Sequence, residues 1–390
     1  MKQDFTFPSS DGRTTIHAVR YVSENNEKPK AVLQISHGMV EYIERYSDFA
    51  EYIAEHGFVV FGHDHAGHGE SVVSKDDLGY FGKEPSRILI SDMHTLRCMA
   101  SEEYPEIPYF MLGHSMGSFL LREYLSVYET GMIKNDIREE GFTGAFDIAD
   151  RKDDMDMNGG NGDRSDPDAR SSAAGEEDIS GISEDEDAQA GGPRSLSGAI
   201  LMGTGFSAPG LVSFVQFLIG CVSLFRGERY RSPFIQKLTF DKSYEGYDMT
   251  GEVPERSWLT KDVEIVKKYY SDPKCNYLFT ANGYKGLMEA VKSACSKEDA
   301  DKISEELPIL LVSGAEDPVG ARGDGVRRSE ALYKEAGIKN LTCRLFDNDR
   351  HEIINETDRD QVYEEILFWM QNHLKPRSEE PYLEDEKTEV

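Results

Sequence analysis

The chain has 390 residues, 38% of them hydrophobic, and a formal net charge of −29. That length exceeds one minimal domain and leaves room for a core with something inserted or appended. The acidic balance excludes a phosphate-backbone partner, which needs clustered Lys and Arg, so no nucleic acid is expected.

The five cysteines (Cys98, Cys221, Cys275, Cys295, Cys343) are odd in number and lack ligand spacing. They read as reduced core residues of a cytoplasmic protein. Met1-Lys2-Gln3-Asp4 has no apolar stretch of the signal-peptide kind.

Residues 4 to 22 alternate around Ser9-Ser10-Asp11-Gly12, which predicts a hairpin. Ala31 to Ser36 reads as a buried strand ending in His37-Gly38-Met39. Phe49, Tyr52 and Ile53 then mark an amphipathic helix closed by Gly57. Phe58 to Phe61 is the next strand, and a helix from about Ile88 to Ser101 follows. The apolar run from Tyr109 then ends in Gly113-His114-Ser115-Met116-Gly117 and gives way to a helical pattern. Strands alternating with helices imply a parallel sheet in an α/β fold.

From 135 to 195 the chain is rich in Asp, Glu, Gly and Ser, and reads as a disordered acidic insertion dividing the core segments 1–134 and 196–205. Gly198 to Gly203 is another buried strand. Residues 206–300 carry helical patterns, read as a helical cap, including the apolar run Leu211 to Phe225. Two readings of that run stand: a buried helix of a small subdomain, or a lid lining an acyl pocket and touching a bilayer transiently. It falls short of the ~20 residues of a spanning helix. Core sequence resumes over 301–376, with a strand to Gly314, a helix from about Arg328 to Ala336, a strand Thr342 to Phe346 and a helix Gln361 to Leu374. An acidic tail, 377–390, follows.

A strand that turns sharply into a helix holds the residue at the apex in a strained conformation and pushes its side chain above the sheet edge. Gly113 and Gly117 supply the small neighbours such an elbow needs, with Ser115 at its apex. A serine hydroxyl needs a base, and the base needs an anion to fix its tautomer. His351 and Asp317 each lie just past a buried strand, where an α/β sheet carries its ligands. Glu316, Asp324, Asp347 and Asp349 compete with Asp317; position at the strand end favours Asp317. The N–H groups of Met39 and Met116 are the candidate oxyanion donors. His63, Asp64, His65 and His68 tempt a zinc reading, but their spacing lacks the alternation of metal enzymes, and no metal or other cofactor is expected.

His37-Gly38-Met39, Asp64-His65-Ala66-Gly67-His68-Gly69-Glu70-Ser71, Gly113-His114-Ser115-Met116-Gly117, Asp317 and Arg350-His351-Glu352 together resemble the monoacylglycerol lipase and lysophospholipase branch of the α/β-hydrolases, grouped with serine aminopeptidases. The chain order Ser115, Asp317, His351 is that of the α/β-hydrolases. The resemblance implies an α/β-hydrolase fold with a mostly parallel eight-stranded sheet and a helical cap, and hydrolysis through an acyl-enzyme. It implies a small-molecule ester or lipid substrate, and accounts for the histidine cluster without a metal. No partner protein is inferred. A proline-releasing aminopeptidase, with Glu245, Glu252 or Glu255 holding the amine, and a non-catalytic binding module are the rival readings.

Overall fold

The structure is a computed structural model, and it describes residues 1–24, 28–130, 194–239 and 244–374. The hairpin is formed by β1 (Lys2–Pro8) and β2 (Thr15–Tyr21), paired antiparallel. β3 (Ala31–Ser36), β4 (Phe58–His63), β5 (Tyr109–His114), β6 (Gly198–Met202) and β7 (Ile309–Gly314) are buried along their whole length. β8 (Leu341–Phe346) closes the far edge. The sheet order is β1-β2-β4-β3-β5-β6-β7-β8, parallel from β4 to β8.

Because successive strand residues point to opposite faces, the sheet feeds two separate cores. Val32, Met111, Leu201 and Leu311 enter one, with α2 (Pro85–Glu103), α3 (Met116–Tyr128) and α7 (Ala281–Ala294) packed over them. Leu33, Leu112, Ile200 and Leu310 enter the other, under α1 (Ser47–Glu55) and α10 (Arg359–Asn372). The described residues belong to one unit, formed by Met1–Ile133 and Gly192–Val390. The expected acidic insertion, apart from Arg194 and Ser195, and the acidic tail lie outside the described residues.

Between β6 and β7 come α4 (Pro209–Arg226), α5 (Pro233–Thr239), α6 (Val263–Ser271), α7 and α8 (Lys297–Ala300). The apolar run forms α4, but the reading as a buried core helix does not hold: only 17% of it is buried, through Val212, Val215 and Ile219. Leu211, Phe214, Phe217, Leu224 and Phe225 are exposed. The helix is also longer than the run, because it takes in Pro209, Gly210 and Arg226. Its 18 residues are long and apolar enough to cross a membrane by length and composition, against the expectation of a stretch too short. α9 (Asp324–Glu335) starts a turn earlier than Arg328. Its first turn offers one apolar residue, the buried Val326, among Asp324, Gly325 and Arg327, too few to mark a helical period. Cys275 and Cys295 are buried, whereas Cys98, Cys221 and Cys343 are only half-buried.

Candidate active site

The direction of chain progression changes between β3 and β5, since β4 lies on one side of β3 while β5 and β6 continue on the other. Ligands of open α/β sheets bind outside the carboxyl ends of the strands at such a point. Here those ends carry His37-Gly38-Met39 and Ser115.

Ser115 stands between β5 and α3 at φ 53°, ψ −119°. A left-handed backbone at a non-glycine residue is held only where its surroundings over-determine it. Here a Cβ on Gly117 would overlap the Ser36 carbonyl, and one on Gly113 would overlap that of Gly117. The elbow is thus pressed against β3, which fits only glycine at those two positions. Met116 is the first residue of α3, so its N–H has no partner within the helix. The Met39 N–H takes no acceptor among the described residues.

His351 lies on the loop after β8, and its Nδ1 is 3.0 Å from Asp317 Oδ1. Asp317, fully buried, is fixed by two further donors: Ser313 Oγ to Oδ2 at 2.9 Å and the Val319 N–H to Oδ1 at 2.8 Å. A Cβ on Gly314 would overlap the carbonyls of Asp349 and Arg350, so this glycine lets the end of β7 and the His351 loop touch. The Glu316 N–H adds a 2.8 Å bond to the Asp349 carbonyl. Of the competing acids, Asp349 does not reach the imidazole; burial and the neighbouring Asp358 and Glu356 push its carboxyl up to about 7. The His351 ring stacks on Trp258 at 5.1 Å between centroids, with His114 at 4.7 Å on another side.

Ser115, His351, Met39 and Met116 line one cavity of about 220 Å³. No hydrogen bond joins Ser115 Oγ to the His351 ring among the described residues; such bonds tighten when substrate arrives. Phe119, Phe206, Leu287, Met288, Val291 and Val319 make one wall apolar, and Glu41, His114 and Glu352 make another polar. The arrangement can activate a hydroxyl beside an apolar slot and receive an oxyanion at two N–H groups.

The histidine cluster braces the neighbouring loop. Asp64 accepts the Ile43 and Glu70 N–H groups at 2.8 Å each and faces His17 Nδ1 at 3.0 Å. His65 Nε2 meets Ser36 Oγ at 3.0 Å, while the His65 N–H donates to His37 Nε2 at 2.9 Å. Burial pushes His63 and His68 down to about 3, so both rings are neutral. Among the described residues no group of His, Cys, Asp or Glu has the geometry to hold a metal ion.

Glu41, Arg45, Tyr46 and Trp258 give no local signal in the sequence, and His114 and Glu352 stand there only within the quoted motifs, with no role of their own. Glu41 and Glu352 come together from opposite ends of the chain, so no local spacing signals them; only the sheet order could.

The chain matches the family model described as "Serine aminopeptidase, S33" over residues 27–134 and 189–358. It is 34% identical to the monoglyceride lipase of Rattus norvegicus over 108 residues, covering 27% of this chain and 34% of that one. It is 43% identical to the monoglyceride lipase homolog of monkeypox virus over 90 residues, covering 23% of this chain and 31% of that one. The matched stretch thus spans about a third of the length of these curated relatives. Among solved structures, a thermostable carboxyl esterase from Bacillus coagulans superposes with TM-score 0.72 at 24% identity, covering 96% of this chain and 99% of that one. A soluble variant of monoglyceride lipase from Saccharomyces cerevisiae gives 0.62 at 15% identity over 96% of each chain. These two likenesses carry the fold. With the sheet, its elbow and a family model matched over more than half its length, the chain belongs to the serine aminopeptidase S33 family of the α/β-hydrolases, with monoglyceride lipases among its relatives.

Proposed function

We propose that the protein is a serine hydrolase of carboxylic esters, acting on monoacylglycerol- or lysophospholipid-type substrates through an acyl-enzyme. The observation that carries this reading is the shared cavity of Ser115 and His351, with the imidazole held from behind by a buried Asp317. Ser115 Oγ attacks the ester carbonyl while His351 Nε2 takes its proton. The carbonyl oxygen becomes an oxyanion between the Met39 and Met116 N–H groups. Collapse expels the alcohol, which leaves with the proton from His351. Water then repeats the sequence on the acyl-serine and releases the acid.

The apolar wall formed by Phe119, Leu287 and Val291 suits an acyl chain. In this reading α4 to α8 are the cap, and the exposed face of α4 is a surface for transient contact with lipid. A free α-amine, by contrast, would need an uncommitted carboxylate in the cavity. Glu245, Glu252 and Glu255 are exposed and do not line it. Glu41 and Glu352 do line it, but both are bonded to Arg45. Ester cleavage is therefore favoured over proline release.

A fluorophosphonate probe is expected to label the wild type and not Ser115→Ala. A p-nitrophenyl acyl ester should turn over at least about 100-fold faster than a prolyl amide, the scale of one well-placed catalytic group. Equal labelling of the two proteins, or the reverse substrate order, would overturn the reading.

A further inference from the structure

The polar side of the cavity belongs to a group of charged side chains that the reaction above does not use. Glu41 and Glu352 are 3% and 2% exposed, and His114 and Tyr46 are buried beside them. Arg45 sits between the two acids. Its Nη1 is 2.7 Å from both Glu41 Oε2 and Glu352 Oε1, and its Nη2 is 2.7 Å from Glu352 Oε2. Buried charges are costly unless each is satisfied, and this group is satisfied almost entirely from within itself.

Each acid is also tied to one arm of the site. Glu41 Oε1 accepts the Gly38 N–H, one residue before the oxyanion donor Met39. Between Met39 and Glu41, Val40 is held at φ 57°, which a β-branched residue rarely adopts. Such a conformation persists only where its surroundings hold it, and here Glu41, bonded to the Gly38 N–H and to Arg45, spans it. Glu352 directly follows His351, and its own N–H is bonded to the Leu259 carbonyl at 2.7 Å.

His114 makes a second link. Its Nε2 donates to the His351 carbonyl at 3.3 Å. Its Nδ1 lies 3.1 Å from Glu41 Oε1 and 2.7 Å from Tyr46 OH. The single Tyr46 O–H donates to Glu41 at 2.8 Å, so toward His114 the phenol oxygen accepts. Both imidazole nitrogens thus face acceptors, which makes His114 an imidazolium. The direction of the shifts agrees. Burial pushes His114 down, but the Glu41 carboxylate outweighs it and raises the ring above its ordinary value. Burial likewise pushes Glu41 up, and His114 with Arg45 outweighs it and holds the acid well below the usual carboxylate range.

From these contacts we infer that Glu41 and Arg45 are positioning residues that set the distance between the oxyanion donor Met39 and the base His351. The inference rests on the esterase reading and deepens it. The Met39 loop and the His351 loop come from opposite ends of the sequence, and a bidentate guanidinium fixes separation and angle together, which a lysine cannot. Because neither side chain is bonded to Ser115 Oγ or the His351 ring among the described residues, their loss is expected to affect the transition state more than substrate binding.

The test uses the full chain with Glu41→Gln, Arg45→Lys and the wild type. kcat and KM for p-nitrophenyl butyrate are measured per site titrated with a fluorophosphonate, so that unfolded protein is not counted. The expected result is a kcat at least about 30-fold lower in each variant, below the 10²–10³ of losing an oxyanion donor outright, with KM changed less than about threefold. Variants that keep kcat within about threefold per titrated site, or lose it only as KM rises in step, overturn the inference. If Glu41→Gln does not fold, Arg45→Lys and Glu352→Gln decide by the same criteria. A wild type that is neither labelled nor active defeats the esterase reading itself, an outcome distinct from active wild type with unimpaired variants.

Discussion

Single residues show which features of this chain are visible locally. Ser115 is legible because its neighbours in sequence are also its neighbours in space: the glycines that make the elbow possible are two positions away. Asp317 is half legible. It has the right place after a strand, but what separates it from Asp349 is the hydroxyl of Ser313 and the N–H of Val319, two bonds visible only in the folded loop. Glu123 was invisible. It lies on α3 with Ser86 Oγ donating to one oxygen at 3.0 Å, while the other has no partner among the described residues. Burial first, then the nearby Glu289 and Asp299, push it up to about 7. A carboxyl whose folded pKa lies above its unfolded value binds its proton more tightly in the native state. It therefore stabilises at low pH and loses that contribution as pH rises from about 4.5 through 7. Glu123→Gln is thus expected to stabilise the protein at pH 8 by about 2 kcal/mol and to be near neutral at pH 4. Urea unfolding at the two pH values checks this, and equal effects at both would contradict it.

At the level of elements, α4 is where composition misleads most. A dense apolar run reads as buried because burying it is the usual way to keep it from water. Only one stripe, Val212, Val215 and Ile219, packs inward against the neighbouring helix α7 and the core. The pattern cannot reveal this, since residues on both faces are hydrophobic. The stripe and the outer face should therefore respond differently to substitution. Ile219→Ala is expected to cost about 2–4 kcal/mol as a large-to-small change at a buried site. Leu224→Ser on the outer face should stay within about 0.5 kcal/mol. Denaturant midpoints measure both, and a large cost at Leu224 would show that its face is covered in solution. The inner strands β3 to β7, by contrast, are legible in position and nearly in length, because burial on both faces makes each one a largely apolar block, whereas β8 at the edge is only partly buried.

Across the whole molecule, the catalytic groups proposed here are divided by the stretch from 131 to 193. The chain leaves the described core at Thr130 and returns at Arg194, and one buried side chain serves both ends. Arg97, 1% exposed, bonds Glu129 and the Arg194 carbonyl, and Glu129 Oε2 in turn accepts the Leu196 N–H at 3.0 Å. The two ends are thus fixed by the core itself. Replacing 135–191 by a short Gly/Ser linker is expected to raise stability by about 1–2 kcal/mol, the closure entropy saved by a connection roughly eightfold shorter. Titrated active-site content should be unchanged. A fall in the denaturation midpoint would show that the replaced stretch contributes contacts of its own. Removing Arg97 instead leaves Glu129 buried without its counter-charge, and Arg97→Met should cost about 3–5 kcal/mol.

That anchorage also bears on what a protease could do. A cut within 131–193 would leave Ser115, Met39 and Met116 on one fragment, Asp317 and His351 on the other. Five residue pairs along β5 and β6, beneath the Arg97 clasp, lie across the break. Nicked protein should migrate as two bands under denaturing conditions yet elute as one species in buffer, with its chemistry intact until a denaturant parts the halves.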